Sequence, residues 1–341
     1  MPALAPEVAA VRLAVRRALT GLPGAGPVLV ACSGGADSLA LAAAAAFVAP
    51  RLGRPIGLVT VDHALQTGSD RRAADVAAWA AGAGFAPAEA VRVDVAGRPG
   101  GPEAAAREAR YQALAEAARR HGAAALLTGH TRDDQAETVL LALARGAGPR
   151  GLAGMPPRRD LTGMPLLRPL LDISREQTRK ACAALGLSPW EDPHNADPSY
   201  ARARVRADAL PALVRALGPG VVDSLARSAR LAAADAAALD ELAAAALPAA
   251  SSAADGPAGV RAPGGGLAVA ALAGLAPAVR TRVLHAWARE LGASPAALSH
   301  RHVGALDALV TDWHGQGEVH LPGGLRVGRR AGRLTAAGPP G

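Results

Sequence analysis

The chain has 341 residues, half of them apolar but only 2% aromatic, so a core must be built from Ala, Leu and Val. Lys and Arg outnumber Asp and Glu by 37 to 29, a net charge of +8, and Lys180 is the single lysine. The two cysteines, Cys32 and Cys182, stand far apart and outside any CxxC pattern, which argues against a disulfide framework or a zinc cluster and fits a reducing compartment.

Along the chain, "EVAAVRLAVRRAL" reads as an amphipathic first helix and not as a signal peptide. "PVLVAC" reads as a buried strand that runs into Ser33-Gly34-Gly35-Ala36-Asp37-Ser38 and an Ala-rich helix. The apolar run of that helix, Leu39–Ala49, is too short to cross a bilayer, so the expected protein is cytoplasmic with no membrane partner. "RPIGLVTVDH" follows as a strand, "RRAADVAAWAAGAG" as a helix, "AEAVRVDV" as a strand and "GPEAAAREARYQALAEAARRHG" as a long helix. "AALLTGH" is a fourth strand and "DDQAETVLLALARG" another helix. This alternation predicts an α/β fold, a doubly wound parallel sheet. Ligands bind past the carboxyl ends of such strands, where Ser33–Ser38, Asp62-His63 and Gly129-His130 all fall.

"RGAGPRGLAGMPPRRDLTGMP" reads as a long Gly/Pro-rich loop. A long Ala/Leu helix is expected over about residues 220–247, then a linker at Ser251–Gly266, then helical segments with a hairpin turning at Gly323-Gly324. The expected organisation is a catalytic domain over 1–215, a linking helix over 216–250 and a small basic α+β domain over 251–341.

A Walker-type loop needs a lysine that Ser33–Ser38 lacks, and the GxGxxG dinucleotide spacing is missing too. What remains is a tight turn whose free amides at a helix start cradle an anion, or a plain turn with Ser38 as helix cap. Asp37 within a phosphate nest implies a bridging cation, Mg2+. The excess of arginine fits either a biased base composition or a polyanionic partner such as nucleic acid.

The SGGxDS string after an apolar strand resembles the pyrophosphate loop of the N-type ATP pyrophosphatase superfamily, with its adenine nucleotide alpha hydrolase-like fold. "TGHTRDDQAETVLLALARGAGPRGLAGM", "AAREARYQAL", "PLLRPLL" and "WEDPHNADPSYARARVRADALP" are similar to signature blocks of the tRNA(Ile)-lysidine synthetase family. "VDHALQTGSD" fits with a departure, since the family more often has Gly and Arg where Ala64 and Gln66 stand. The final small domain of the longest family members is not seen. The resemblance implies that ATP activates carbon 2 of the wobble cytidine in a CAU-anticodon tRNA(Ile), and that the side-chain amine of L-lysine then displaces AMP to form lysidine.

For ATP and Mg2+, that reaction draws on Ser33, Gly34, Gly35, Ala36, Asp37 and Ser38, with Asp37 on the metal. His63 either touches the adenosine or caps its strand. Asp134 and Glu137, three apart on one helical face, suit the lysine ammonium, against the bland reading of acids favouring a helix start. His130 orients substrate, takes the amine's proton, or is structural. Asp37, His130 and Asp134 are thus the catalytic candidates. Arg107, Arg110, Arg145, Arg202, Arg204 and Arg206 are the tRNA candidates, and Arg280, Arg282, Arg326, Arg329, Arg330 and Arg333 give the small domain a basic character suited to phosphates. A tRNA thiolase on the same fold would need a placed catalytic cysteine, which neither Cys32 nor Cys182 resembles. A homodimer is left open.

Overall fold

The computed structural model describes residues 4–64, 68–94, 102–192, 197–252, 266–294 and 297–337, so Gln66 and most of the 251–266 linker lie outside the described residues. The chain divides into two compact units, Met1–Ala233 and Ala234–Gly341.

In the first unit α1 (Pro6–Leu19) opens with Pro at its first turn, which has no amide to leave unpaired, and buries Val8, Val11, Val15 and Leu19 on one stripe. Then come β1 (Val28–Ala31), α2 (Ala36–Val48), β2 (Ile56–Asp62), α3 (Ser69–Gly82), β3 (Ala88–Arg92), α4 (Pro102–Arg120), β4 (Ala125–Thr128) and α5 (Arg132–Ala144). The sheet order is β3-β2-β1-β4 and onward, with β1 parallel to both β2 and β4. Successive side chains of these strands enter opposite layers. Val28, Val30, Ile56, Leu58, Ala125 and Leu127 join one core with α1 and α2, while Leu29, Val59 and Leu126 join another with Tyr111 and Leu114 of α4. A sheet covered on both faces requires this two-sided apolarity. Among the described residues no single helix is long and apolar enough to cross a membrane.

The Gly/Pro-rich stretch expected as a loop holds more order than that. It forms α6 (Pro149–Leu152) and a hairpin, β5 (Arg158–Leu161) and β6 (Met164–Leu167), that extends the sheet as β4-β6-β5. Thr162 and Gly163 turn it with φ of 52° and 88°, and the Gly163 amide donates to Asp160 Oδ1 at 2.9 Å. A two-residue turn with both φ positive fits the twist of antiparallel strands, so Thr-Gly was the overlooked hairpin signal. β6 runs parallel to β4, and only the edge strand β5 is antiparallel.

The unit continues through α7 (Arg175–Ala184), α8 (Ala201–Arg204), a π-helical segment (Val205–Ala209) and α9 (Leu210–Leu217). α10 (Val221–Ser252) is the expected long helix, and the division between the units falls within it.

The second unit packs α11 (Val269–Ala273), α12 (Pro277–Glu290) and α13 (His300–Thr311) with an antiparallel sheet of β7 (Leu267–Ala268), β8 (Val319–His320), β9 (Arg326–Arg330) and β10 (Arg333–Ala337), in the order β7-β10-β9-β8. Trp287, Leu272, Leu306 and Val327 sit in its core. Most arginines read from sequence as phosphate contacts have partners within this unit. Arg280 pairs with Asp307 at 2.6 Å, Arg282 with Asp240 at 2.9 Å, and Arg326 and Arg330 with Glu318 at 3.4 and 3.5 Å. Arg329 donates to the Leu309 carbonyl at the end of α13 at 2.9 Å. A run of charges in a sequence does not reveal the acids that fold against it.

Arg280 is buried, so its pair with Asp307 is the one whose loss matters for stability. Arg280→Met leaves Asp307 partly buried without a partner and is expected to destabilise this unit by about 3 kcal/mol. Thermal unfolding of the full chain checks this, and an unchanged transition would mean that the pair contributes nothing to the stability of this unit.

Candidate active site

The carboxyl ends of β1, β2 and β4 open on a cleft of about 880 Å³, a volume suited to a nucleotide with space beside it. The strand order reverses at β1, and that switch point is where a doubly wound sheet leaves room.

The β1–α2 loop is shaped by its small residues. Gly34 has φ +83°, and a Cβ there would stand 3.0 Å from Val76 Cγ2. Gly35 is the N-cap of α2, with no side-chain cap bond, so amides of the first helical turn remain open to a ligand. Ser38 lines the cleft and is largely buried, and its hydroxyl braces the loop, donating to the Gly35 carbonyl at 2.9 Å and accepting the Ser33 amide at 3.1 Å. Gly129, after β4, packs directly on this turn: a Cβ there would meet the Asp37 carbonyl carbon and oxygen at 3.0 Å. Asp37 faces the cleft with its side chain 24% exposed, accepting a short hydrogen bond from the Thr178 hydroxyl. Burial, opposed by that bond and aided by the charge of Asp134, pushes its pKa up to about 6.

The second wall is the start of α5. Thr131 and Asp134 form a reciprocal capping box, the Thr131 amide donating to Asp134 Oδ2 at 2.8 Å, which fixes the carboxylate inward. Burial alone would raise the Asp134 pKa, but the Arg175 charge and the Thr131 amide hold it below its ordinary value. Glu137, one turn on, has no exposed side-chain surface and receives three guanidiniums. Arg175 Nη2 lies 3.0 Å from Oε1, Arg202 Nε 3.0 Å from Oε2 and Arg206 Nε 2.8 Å from Oε1. Arg175 also reaches Asp134 Oδ1 at 3.0 Å and stands 3.8 Å from Asp37, so one guanidinium spans all three acids. Arg202 and Arg206 are four apart, one in α8 and one in the π-helical segment, and both line the cleft.

Arg175 and Thr178 went unnoticed in the sequence. They sit in the first turn of α7, which a Ser174–Gln177 capping box starts at the cleft. The sequence shows that box, S-x-x-Q, as a helix start and nothing more.

His130 shares a hydrogen bond with Thr128 Oγ1 at 3.0 Å. Burial, against the pull of Asp134 and together with Arg110, Arg168 and Arg107, pushes its pKa down to about 3, so the imidazole is neutral at physiological pH. His63 lines the cleft with its Nδ1 buried and unpartnered, and burial with the charge of Arg110 keeps it neutral as well. Ala64 beside it has φ +53°, the left-handed region that glycine enters without strain. Arg107 and Arg110 also line the cleft, whereas Arg145 is exposed at the end of α5 and Arg204 donates to the Pro198 and Ser199 carbonyls, both outside it.

A profile of the PP-loop domain matches residues 12–213, and one of the TilS substrate binding domain matches residues 267–335. The chain is 76% identical to the tRNA(Ile)-lysidine synthase of Salinispora arenicola, over 99% of this chain and 99% of that one. It is 52% identical to the tRNA(Ile)-lysidine synthase of Streptomyces coelicolor, over 97% of this chain and 98% of that one. Among solved structures, a U34-tRNA thiolase from Methanococcus maripaludis with its [4Fe-4S] cluster superposes with a TM-score of 0.54 at 19% identity, over 66% of this chain and 80% of that one, which is a likeness of fold. Here Cys32 and Cys182 are both buried. Burial raises the first thiol's pKa and pushes the second up to about 11.

The contact between Gly129 and α2 makes a specific demand. Gly129→Ala forces a methyl against the Asp37 backbone, which cannot yield as a flexible side chain would, at a cost of about 1–3 kcal/mol. ATP affinity is expected to fall about tenfold with the circular dichroism spectrum unchanged. Calorimetric titration with ATP measures it, and wild-type affinity would mean that the two loops move apart freely.

Proposed function

The chain belongs to the tRNA(Ile)-lysidine synthase family, and on that premise we propose that this ligase modifies the wobble cytidine of a CAU-anticodon tRNA(Ile) in two steps within this one cleft. In the first, the cytidine O2 attacks the α-phosphorus of ATP and pyrophosphate leaves. In the second, the side-chain amine of L-lysine, having lost a proton, attacks carbon 2, and the C–O bond to AMP breaks. The observation that carries this reading is Asp37, Asp134 and Glu137 brought round Arg175 beside an amide-rich loop at the sheet's switch point.

In this reading the β1–α2 loop holds the phosphates through its backbone, with Ser33 and Ser38 bracing it. Among the described residues no group of three His, Cys, Asp or Glu converges into a metal cage. Mg2+ would therefore be held as it commonly is at nucleotides, by one carboxylate, Asp37, together with phosphate oxygens. When bound it offsets the negative charge of the phosphates. Asp134, which lines the cleft while bonded to Arg175 and Arg206, is the carboxylate placed to meet the lysine ammonium. Glu137 does not line the cleft and has no exposed side-chain surface, so it acts as a positioning residue that aims Arg175, Arg202 and Arg206. His130, held neutral, suits hydrogen bonding to a substrate group better than storing the amine's proton. The inward turn of Arg202 and Arg206 suits an RNA backbone that delivers an unstacked cytidine.

Asp37 supplies a pH test. Its folded pKa of about 6 exceeds the ordinary value of 3.8, so the empty protein is stabilised by its proton at low pH and loses that contribution as pH rises through about 6. A bound cation needs the carboxylate, so binding must displace the proton. At pH about 5.5, Mg·ATP binding to the wild type is expected to release roughly three-quarters of a proton more than binding to Asp37→Asn. Calorimetry in buffers of different ionisation enthalpy reads the difference, and equal release would remove Asp37 from the metal site.

The two acids of α5 are separable. Asp134→Asn removes a partner of a hydrogen-bonded charge pair, about 2 kcal/mol at the low end, and is expected to raise the lysine requirement about 30-fold with ATP binding retained. Glu137→Gln leaves three guanidiniums around a neutral amide and is expected to lower stability by about 3 kcal/mol and weaken tRNA binding. Lysine KM, tRNA affinity and thermal unfolding separate the two. A Glu137→Gln variant of wild-type stability and tRNA affinity, raised only in lysine KM, would make Glu137 a lysine ligand.

A further inference from the structure

Two groups of guanidiniums stand out in and beside the cleft. Arg175, Arg202 and Arg206 are matched by Asp134 and Glu137. A second group gathers at Tyr111 in α4, which lines the cleft with Arg107 and Arg110, 5.2 and 5.4 Å from its ring centroid. Arg159 of β5, at 5.0 Å, and Arg168, just past β6, adjoin the same ring from behind the cleft lining. Among the described residues none of these four forms an ion pair with a carboxylate. The acids adjacent in sequence turn elsewhere: Glu108 accepts from Gln112 Nε2 at 3.3 Å, and Asp160 accepts the Gly163 amide of the β5–β6 turn.

Cations packed on one ring repel each other unless something compensates them, and an aromatic face offsets only part of that repulsion. The buried polar atoms here meet cations and no anion. Arg168 is 3% exposed and gives Nη1 to the Pro156 carbonyl at 2.7 Å, while its Nε has no partner. The Tyr111 hydroxyl is buried against the guanidiniums of Arg110 and Arg168. A buried donor without an acceptor, such as the Arg168 Nε, calls for an explanation. Arg110 and Arg168 have lowered pKa values because burial disfavours their charge and no carboxylate offsets it, and despite its burial the Tyr111 phenol is acidified by Arg107, Arg110 and Arg168. All of this describes a region of positive potential awaiting an anion.

We propose that Arg107, Arg110, Arg159 and Arg168, gathered round Tyr111, form a second phosphate seat of the cleft, separate from the Ser33–Ser38 loop. It rests on the reading of the cleft as a nucleotidyl-transfer site. That reaction brings two phosphate groups that the nucleotide loop does not need to keep: a backbone phosphate of the RNA beside the target cytidine, and the departing pyrophosphate. Guanidiniums with planar paired donors suit either.

The test uses the full chain with Arg107→Gln and Arg159→Gln, two of the less buried members of the set. If the seat holds RNA, each variant is expected to lower the log–log salt slope of tRNA binding by roughly 0.7–0.9, with pyrophosphate binding unchanged. If it holds pyrophosphate, the affinity for added pyrophosphate is expected to fall several-fold and the tRNA slope to stay. ATP binding without tRNA should persist in both variants; its loss would mean that the seat is part of the nucleotide site and overturn the proposal. Labelled-tyrosine NMR gives a readout without mutating the cluster, since the chain has two tyrosines and Tyr200→Phe leaves Tyr111 alone. Pyrophosphate, or a CAU stem-loop RNA, is expected to raise the Tyr111 pKa by offsetting its arginines. A Tyr111 titration moved by neither probe, with both variants wild-type in tRNA slope and pyrophosphate affinity, would reduce the cluster to packing around a ring. Loss of lysidine formation with an intact seat would fault the functional reading alone.

Discussion

The site is organised by one buried carboxylate. Glu137 has no exposed side-chain surface, yet three guanidiniums from two separate segments end on its two oxygens. A carboxylate in that position would be prohibitively costly if it were alone, and the arginines would repel one another without it. Each therefore requires the others. Together with the Arg175 amide on Asp133 and Arg202 on Thr138, this ionic knot ties α5 to α7 and to the helical stretch through Arg206 at the carboxyl ends of β1 and β4. Buried ion pairs contribute little net stability, since desolvation offsets their attraction. Their effect here is geometric: Arg175, Arg202 and Arg206 are held in fixed directions with Asp134 and Asp37 at the surface of the same cluster.

The sheet supplies the other half of the geometry. Residues at the ends of adjacent parallel strands are brought together by the hydrogen-bond ladder, whatever their side chains prefer. Val28 to Ala31 are registered against both Ile56 to Val59 and Ala125 to Thr128, so Ser33, His63 and Gly129 emerge side by side. The close approach of Gly129 to the Asp37 backbone then lets two loops share one floor. Nothing larger than glycine fits there, which is why the small residues lie at the strand ends and the branched apolar ones in the strands.

Much of this was legible in the sequence, for reasons that also explain what was not. Apolar strands alternating with helices identify the doubly wound sheet, and the sheet alone puts Asp37, His63, His130 and Asp134 near one crevice. Arg175 and Thr178 escaped because they follow a common capping box on a helix some forty residues from Asp134, with no strand end to locate them. Glu137 and Asp134 look equivalent in sequence, three apart on one face, and only packing shows that one lies behind the wall and the other in it. The β5–β6 hairpin hid in a Gly/Pro-rich stretch, since Gly and Pro punctuate hairpins as readily as loops. The arginines of the second unit are countable in the sequence, but their carboxylate partners, such as Asp307 for Arg280 and Glu318 for Arg326, are not, because a sequence gives the number of charges without their pairing.

The superposed thiolase sharpens the distinction between fold and chemistry. The same kind of sheet carries both proteins, so the sheet cannot choose between attaching sulfur and attaching an amine. Sulfur transfer requires an accessible thiolate or a cluster that cysteines hold. In this chain Cys32 lies under the β1–α2 loop beside Ser38, and Cys182 donates to the Ala36 carbonyl in the same layer, so both thiols serve as small apolar packing groups. Space that a thiolate would need is instead bounded by carboxylates locked into ion pairs with Arg175, Arg202 and Arg206 and by guanidiniums at Tyr111 that no carboxylate pairs among the described residues. The two walls therefore differ in charge balance, one neutralised within the protein and the other left positive. What separates this cleft from its fold relative is the side chains set at the strand ends and on α5 and α7, not the sheet.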